Sequence, residues 1–295
     1  MPATQQANGC CNAFVICEYG NLDYYYGTQR QQICSYFHQP MHQRSSLKSL
    51  LATTVLLLTC GLLRGESFDE LLAKGDVFDL KLQEAEALKC YLPAEKLQPR
   101  NASLLVRIAR QYRHLVTDAR TNEDRLRFAA IALDYSQRAA ALAPNDSETQ
   151  LSVAISYGKM VPLQSKKQQV EASPRIKDAA EKAIKLDPRN DLAWHVLGRW
   201  HEALADLSGF KRAMGGLFYG KLPVTTNEDA VKCFKKAMEI NPNRLRNYIE
   251  LGCTYAQMQR TDDARRFIEK GLGMANAEKD DPNLKRRGRE VLANL

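Results

Sequence analysis

Four prolines close four similar phrases in this chain: Leu97-Gln-Pro99, Leu142-Ala-Pro144, Leu186-Asp-Pro188 and Ile240-Asn-Pro242. Five positions before each proline stands an alanine (Ala94, Ala139, Ala183, Ala237), and eight before stand Tyr91, Ser136, Ala180 and Phe234. Six positions after each come Leu105, Gln150, Trp194 and Tyr248, followed three and four residues on by Ile108-Ala109, Val153-Ala154, Leu197-Gly198 and Leu251-Gly252. Steps of three and four are the helical period, so each proline ends one helix and the next presents its inner face in fixed register. Ala, Leu, Lys, Arg and Glu dominate after residue 67, which is helix chemistry with little strand signal. A single helix pair cannot bury its apolar face alone, so the pairs must stack. The expected fold is all-α.

The pattern resembles the tetratricopeptide repeat, W-x-x-L-G-x-x-Y…A-x-x-x-F…A…P with a period of 34. The best copy runs Tyr248, Leu251, Gly252, Tyr255, Ala264 and Ile268, and the copy before it matches at Trp194, Leu197, Gly198, Ala230, Phe234, Ala237 and Pro242. Gly or Ala at the eighth place lets two helices approach closely, and proline ends the pair. The fold class implied is an α-solenoid of tetratricopeptide-like helix pairs with elongated repeats. The proline-to-proline spacings are 45, 44 and 54, so the surplus over 34 is 11, 10 and 20 residues. All of it falls between the first and second helix of a pair, as insertions on one edge or as longer helices.

Three tracts carry a more specific resemblance: Ser173-Pro-Arg-Ile-Lys-Asp-Ala-Ala-Glu-Lys-Ala-Ile-Lys-Leu-Asp-Pro188, Tyr219-Gly-Lys-Leu-Pro223 and Leu104-Leu-Val-Arg-Ile-Ala-Arg110. They are similar to the regulator of microtubule dynamics family, over about Ser67 to Leu295. The resemblance implies a helical-repeat protein that associates with microtubules and spindle poles in the cytoplasm. Some members carry an N-terminal membrane segment and work at organelle surfaces, so an organelle membrane is the alternative location.

Residues 1–66 differ from the helical-repeat domain expected at 67–295. They are rich in Gln, Asn, Tyr and Cys, lack any acid from Tyr24 to Gly65, and end in the apolar stretch Ser49–Leu63 between Lys48 and Arg64. Fifteen residues are short for a bilayer-spanning helix, which takes about twenty. A targeting segment, a signal or anchor, and an unstructured extension stay open as readings of this leader.

The formal charge is +8, of which the leader carries +1, so +7 belongs to the helical part. A basic excess suits acidic partners such as the surface of tubulin or anionic lipid, and equally a plain solvated surface. Nucleic acid is not expected as a partner. The eight cysteines form no paired C-x-x-C motif, so no metal site is expected, and Cys90, Cys233 and Cys253 read as small residues inside helical patterns. Neither a cofactor nor catalysis is expected: His201-Glu202 lacks the second His of a zinc-protease helix, and no Gly-rich phosphate loop follows a strand.

In a stacked array the first helices line the concave face, with places five, nine and twelve pointing into the groove. These are Val106, Arg110 and Arg113; Leu151, Ile155 and Gly158; His195, Arg199 and Glu202; and Ile249, Cys253 and Ala256. The candidate partner-binding set is therefore Arg110, Arg113, His195 and Arg199. A groove of this kind suits an acidic extended ligand such as a Glu-rich tubulin tail, or else its Arg stems pack in place and pair with acids such as Glu202. Two basic surfaces are alternatives: Lys211 and Arg212 in the insertion 208–221, and the tail residues Lys285, Arg286, Arg287 and Arg289. The insertion places Phe210, Met214, Leu217 and Phe218 on one helical face, which fits either membrane contact or folding back on the array.

Overall fold

The computed structural model describes residues 65–205 and 223–295. The leader with its apolar stretch 49–63, and the whole of the insertion 208–221 with Lys211 and Arg212, lie outside them. The described residues contain eleven α-helices and no strand. They are α1 (Phe68–Leu80), α2 (Glu84–Leu97), α3 (Ala102–Asp118), α4 (Asn122–Leu142), α5 (Ser147–Met160), α6 (Lys166–Leu186), α7 (Asp191–Ala205), α8 (Asn227–Ile240), α9 (Leu245–Gln257), α10 (Thr261–Leu272) and α11 (Asp281–Leu292). Consecutive helices form five antiparallel pairs, α1/α2 to α9/α10, and α11 packs across the last pair.

Local chemistry sets the boundaries. Ser67, Ser165 and Thr226 each close a reciprocal capping box with Glu70, Gln168 and Asp229, while Asn101, Thr121 and Asp146 cap through one bond to the backbone. Such caps satisfy the free N–H groups of a first turn. The constant step of six from each proline to the next helix also has a physical cause. Gln150 Nε2 donates to the carbonyl of Pro144 (3.1 Å), Trp194 Nε1 to that of Pro188 (2.9 Å), and Tyr248 Oη to that of Pro242 (2.9 Å). Three unlike side chains thus make one bond at one place in three repeats.

The close contact between paired helices is equally concrete. A Cβ on Gly252 would lie 2.5 Å from Ile268 Cγ1 and 3.0 Å from the carbonyl of Ala264, and one on Gly75 would run into the ring of Tyr91. Ala109 and Ala154 occupy the same place with no exposed surface.

In the second and third pairs the surplus residues lengthen helices more than they build edge loops. α4 and α6 each reach 21 residues, and only 119–121 separate α3 from α4. Between α5 and α6 a 3-10 turn, Val161–Leu163, takes up part of the excess. The outer pairs keep tight turns in which Leu82 and Gln259 take equivalent left-handed conformations (φ 53° and 59°).

The first pair is a full repeat that the proline phrases announce only by its second half. Leu71, Gly75, Phe78, Ala87, Tyr91, Ala94 and Pro99 follow the repeat spacing, and α1 begins 34 residues before α3. Lys74 stands, largely exposed, where the later copies carry Val, Leu or Ile, so the apolar signature is broken at its seventh place.

Candidate protein-binding groove

The charged residues that the sequence points to as groove-facing are largely engaged by partners within the chain. Arg113 is 6% exposed. Its Nη1 donates to Ser152 Oγ (2.9 Å) and Ser156 Oγ (3.2 Å), and both hydroxyls also meet Ser136 Oγ. This arginine locks α3 to α4 and α5 in place of offering an open cation, and burial pulls its guanidinium down to about 9, leaving it charged at neutral pH. His195 is also buried, with Nδ1 2.8 Å from Asn247 Oδ1 on α9. Burial, and after it Arg246, hold its pKa well below the usual imidazole value, so it is neutral. Arg110 pairs with Asp79 of α1 at 2.9 Å and keeps an exposed edge.

Arg199 belongs to a larger cluster. Its Nη1 contacts Glu202 and lies 2.8 Å from Glu250 Oε2. The second cation there is Arg287 of α11, 3.0 Å from Glu202 Oε1 and bonded to Glu250 as well. Both carboxylates are almost fully buried, at 1% and 3% exposed. Burial pushes the Glu202 carboxyl up, while Arg199 and Arg287 oppose that shift. Two acids and two arginines from three helices therefore neutralise one another inside the groove.

Arg287 thus lies on the inner face of the basic tail expected as an alternative surface. Lys285 donates to the carbonyl of Met274 (2.5 Å), and only Arg286 and Arg289 point to solvent. Helix α11 is held by Leu284 and Val291 against Leu245, Ile249 and Cys253. Ahead of it, residues 275–280 run back along the concave face as a strap. Glu278 bonds to Arg244 and Arg246. Lys279 lies 3.1 Å from Glu84 and 2.7 Å from Asp118. Asp280 accepts from Lys159 Nζ (2.7 Å) and Thr117 Oγ1 (2.8 Å). Burial raises the Asp280 carboxyl, but Lys159 and Thr117 outweigh it and the net shift is downward. Asp281 Oδ2 accepts from the backbone N–H of Ala277 and Glu278, both at 2.8 Å, which fixes the turn into α11.

Sequence reasoning missed Lys159, Arg244, Arg246 and the strap that meets them. The available signal was the run Glu278-Lys-Asp-Asp-Pro282, a charged segment followed by a helix-starting proline.

His114 lies under the strap, 3.5 Å from Glu84. That carboxylate is already paired with Lys279, and burial and then Arg113 pull the imidazole down to about 4. A histidine lowered in the folded state costs stability as pH falls below its unfolded value of 6.5, because the unfolded chain takes the proton first. Thermal stability should therefore fall progressively from about pH 6.5 down to 4, and His114→Gln should flatten part of that slope. An unchanged slope in the variant assigns the pH dependence elsewhere.

Among the described residues, no group of His, Cys, Asp or Glu could hold a metal ion, and no helix is long and apolar enough to cross a membrane. Burial pushes the thiols of Cys233 and Cys253 up to about 12, which leaves them unreactive.

Five stacked pairs, closed by a Gly or Ala contact and lining a concave groove, define a helical-repeat protein of the tetratricopeptide type. The family described as "Regulator of microtubule dynamics protein 1-3" matches residues 67–295, and the chain belongs to it. It is 26% identical over 230 residues to regulator of microtubule dynamics protein 1 of Mus musculus, a match covering 77% of this chain and 74% of that protein. The Caenorhabditis elegans protein of the same name is 26% identical over 178 residues, covering 60% and 78%. Against regulator of microtubule dynamics protein 2 of Homo sapiens identity is 24% over 190 residues, and the chain spans only 46% of that protein's length. Among solved structures, a thermophilic TPR protein from Thermus thermophilus superposes with a TM-score of 0.57 at 16% identity, covering 77% of this chain and all of the other. That likeness concerns the fold alone.

Proposed function

We propose that this chain is a non-catalytic interaction protein that associates with microtubules and contributes to microtubule and spindle organisation at the cytoskeleton. The observation that carries this reading is the family match over 67–295, with relatives named as regulators of microtubule dynamics. The physical reading agrees in kind: a stacked helical array with a basic excess is a scaffold for binding acidic proteins. Contact is proposed through cations that keep solvent exposure, chiefly Arg286, Arg289 and the open edge of Arg110, and not through Arg113, His195 or the neutralised Arg199. Residues 1–66 are proposed to set location, independently of the repeat domain.

The test is co-sedimentation of the full chain with polymerised tubulin at rising salt. Pelleting should be strong at low ionic strength and decline as screening shortens to about 8 Å at 0.15 M. Reversing Arg286 and Arg289 to Glu should weaken it while the helical signal persists. Absence of the chain from the pellet at every salt concentration would end the microtubule reading and leave the fold standing.

A further inference from the structure

The concave face is occupied, and its occupant is acidic where the groove is basic. Glu278 and Asp280 reach four cationic or donor groups on three first helices: Lys159 on α5, Arg246 on α9 with Arg244 just ahead of it, and Thr117 on α3. Asp280 also lies within the field of Arg246, and Arg113 within that of Asp280. The strap reads Ala275-Asn-Ala-Glu-Lys-Asp280 and contains no large apolar side chain. Its hold on the groove is therefore electrostatic, whereas the helix behind it is fixed by Leu284 and Val291. The strap and α11 are thus held in the groove by different kinds of contact.

Two further observations fit a surface made for exchange. Arg246 Nε and His114 Nδ1, both buried beside the strap, make no hydrogen bond. The strap also brings its own cation, Lys279, which needs Glu84 and Asp118 to hold it. An extended segment carrying only acids has no such requirement.

We propose that the groove lined by Lys159, Arg244 and Arg246 is a docking site for an extended acidic peptide of a partner protein, and that residues 275–280 are its built-in competitor. The tethered strap lowers apparent affinity by the fraction of time the groove is open, and releasing it removes that penalty. This goes beyond microtubule association, since the ligand is defined by charge and extension and not by its source.

The experiment measures fluorescence anisotropy of a labelled eight-residue poly-glutamate peptide with the full chain at 0.05 and 0.15 M salt. Glu278→Ala with Asp280→Ala should tighten binding about tenfold or more, as expected if the groove is open a tenth of the time or less. Glu269→Ala with Glu290→Ala makes the same change in net charge away from the groove and should leave affinity at the parent value. Adding Lys159→Ala and Arg246→Ala to the released variant should abolish the gain. Equal affinity in parent and released variant, or equal tightening in the charge control, overturns the proposal.

Should the released variant lose its helical signal, the parent decides the matter. Saturating peptide should then accelerate hydrogen exchange of residues 276–281 while α9 stays protected. Unchanged exchange under saturating peptide also overturns the proposal. Because the probe is a peptide and not a microtubule, failure here leaves the pelleting result untouched, and failure to pellet leaves this one untouched.

Discussion

Replacing Arg287 by Ala should lower stability by about 3 kcal/mol, the lower end of the cost of removing one partner from a buried ion pair. The reason is what it leaves behind. Glu202 and Glu250, at 1% and 3% exposure, would share the single cation Arg199 in place of two. For a domain of this size each kcal/mol shifts the thermal midpoint by about 2–4 °C, so a fall of about 6–12 °C is expected. The diagnostic is rescue. Adding Glu202→Gln removes one excess negative charge and should recover part of the loss, whereas a mere packing role for the Arg287 stem gives no recovery. A midpoint within a degree of the parent would mean that α11 is not seated in the groove.

The second large effect is expected at the first helix pair. Tyr91 has no exposed surface, fills the space left by Gly75, and donates its hydroxyl to Asp76 Oδ1 at 2.6 Å. Truncating a buried aromatic of this size costs about 3–5 kcal/mol. In a solenoid each pair contacts mainly its neighbours, so the loss should be local. Tyr91→Ala should therefore open α1 and α2 to limited proteolysis at a denaturant concentration where α7 to α10 remain protected. Uniform resistance along the chain would show that residues 68–97 are not a structural repeat of the array.

Much of the array was legible because its physics is short-range. Pro99, Pro144, Pro188 and Pro242 end second helices within a few residues of where they stand, and Gly198 and Gly252 mark close contacts with Phe234 and Ile268, partners whose places the repeat pattern itself fixes. Even the constant step of six was visible, although its cause, the bond from Gln150, Trp194 or Tyr248 to a proline carbonyl, needed coordinates. The first half of the first pair was harder to read because Lys74 interrupts the apolar spacing. The charge balance around the expected groove residues was not legible. Arg113 and Arg199 fall at the expected places, yet whether such a residue faces solvent depends on Ser152, Ser156, Glu250 and Arg287, which are 39 to 88 positions away. Helical periodicity carries no information at that range. The tail Lys285-Arg-Arg-Gly-Arg289 shows the same limit: it is one basic run in the sequence, and the fold turns Arg287 inward and Arg286 and Arg289 outward.

The account turns on the concave face being closed by the chain's own C-terminal segment, and hydrogen exchange read by mass spectrometry tests this directly. The amides of Ala277 and Glu278, which donate to Asp281 Oδ2, are the reporters. In the full chain at neutral pH and low salt, peptides covering 276–284 should exchange far more slowly than an unstructured segment, and should lose protection as salt weakens the pairs of Glu278 and Asp280 before α9 and α10 open. Exchange of 276–284 at the unstructured rate, with α9 and α10 fully protected, would contradict a closed groove.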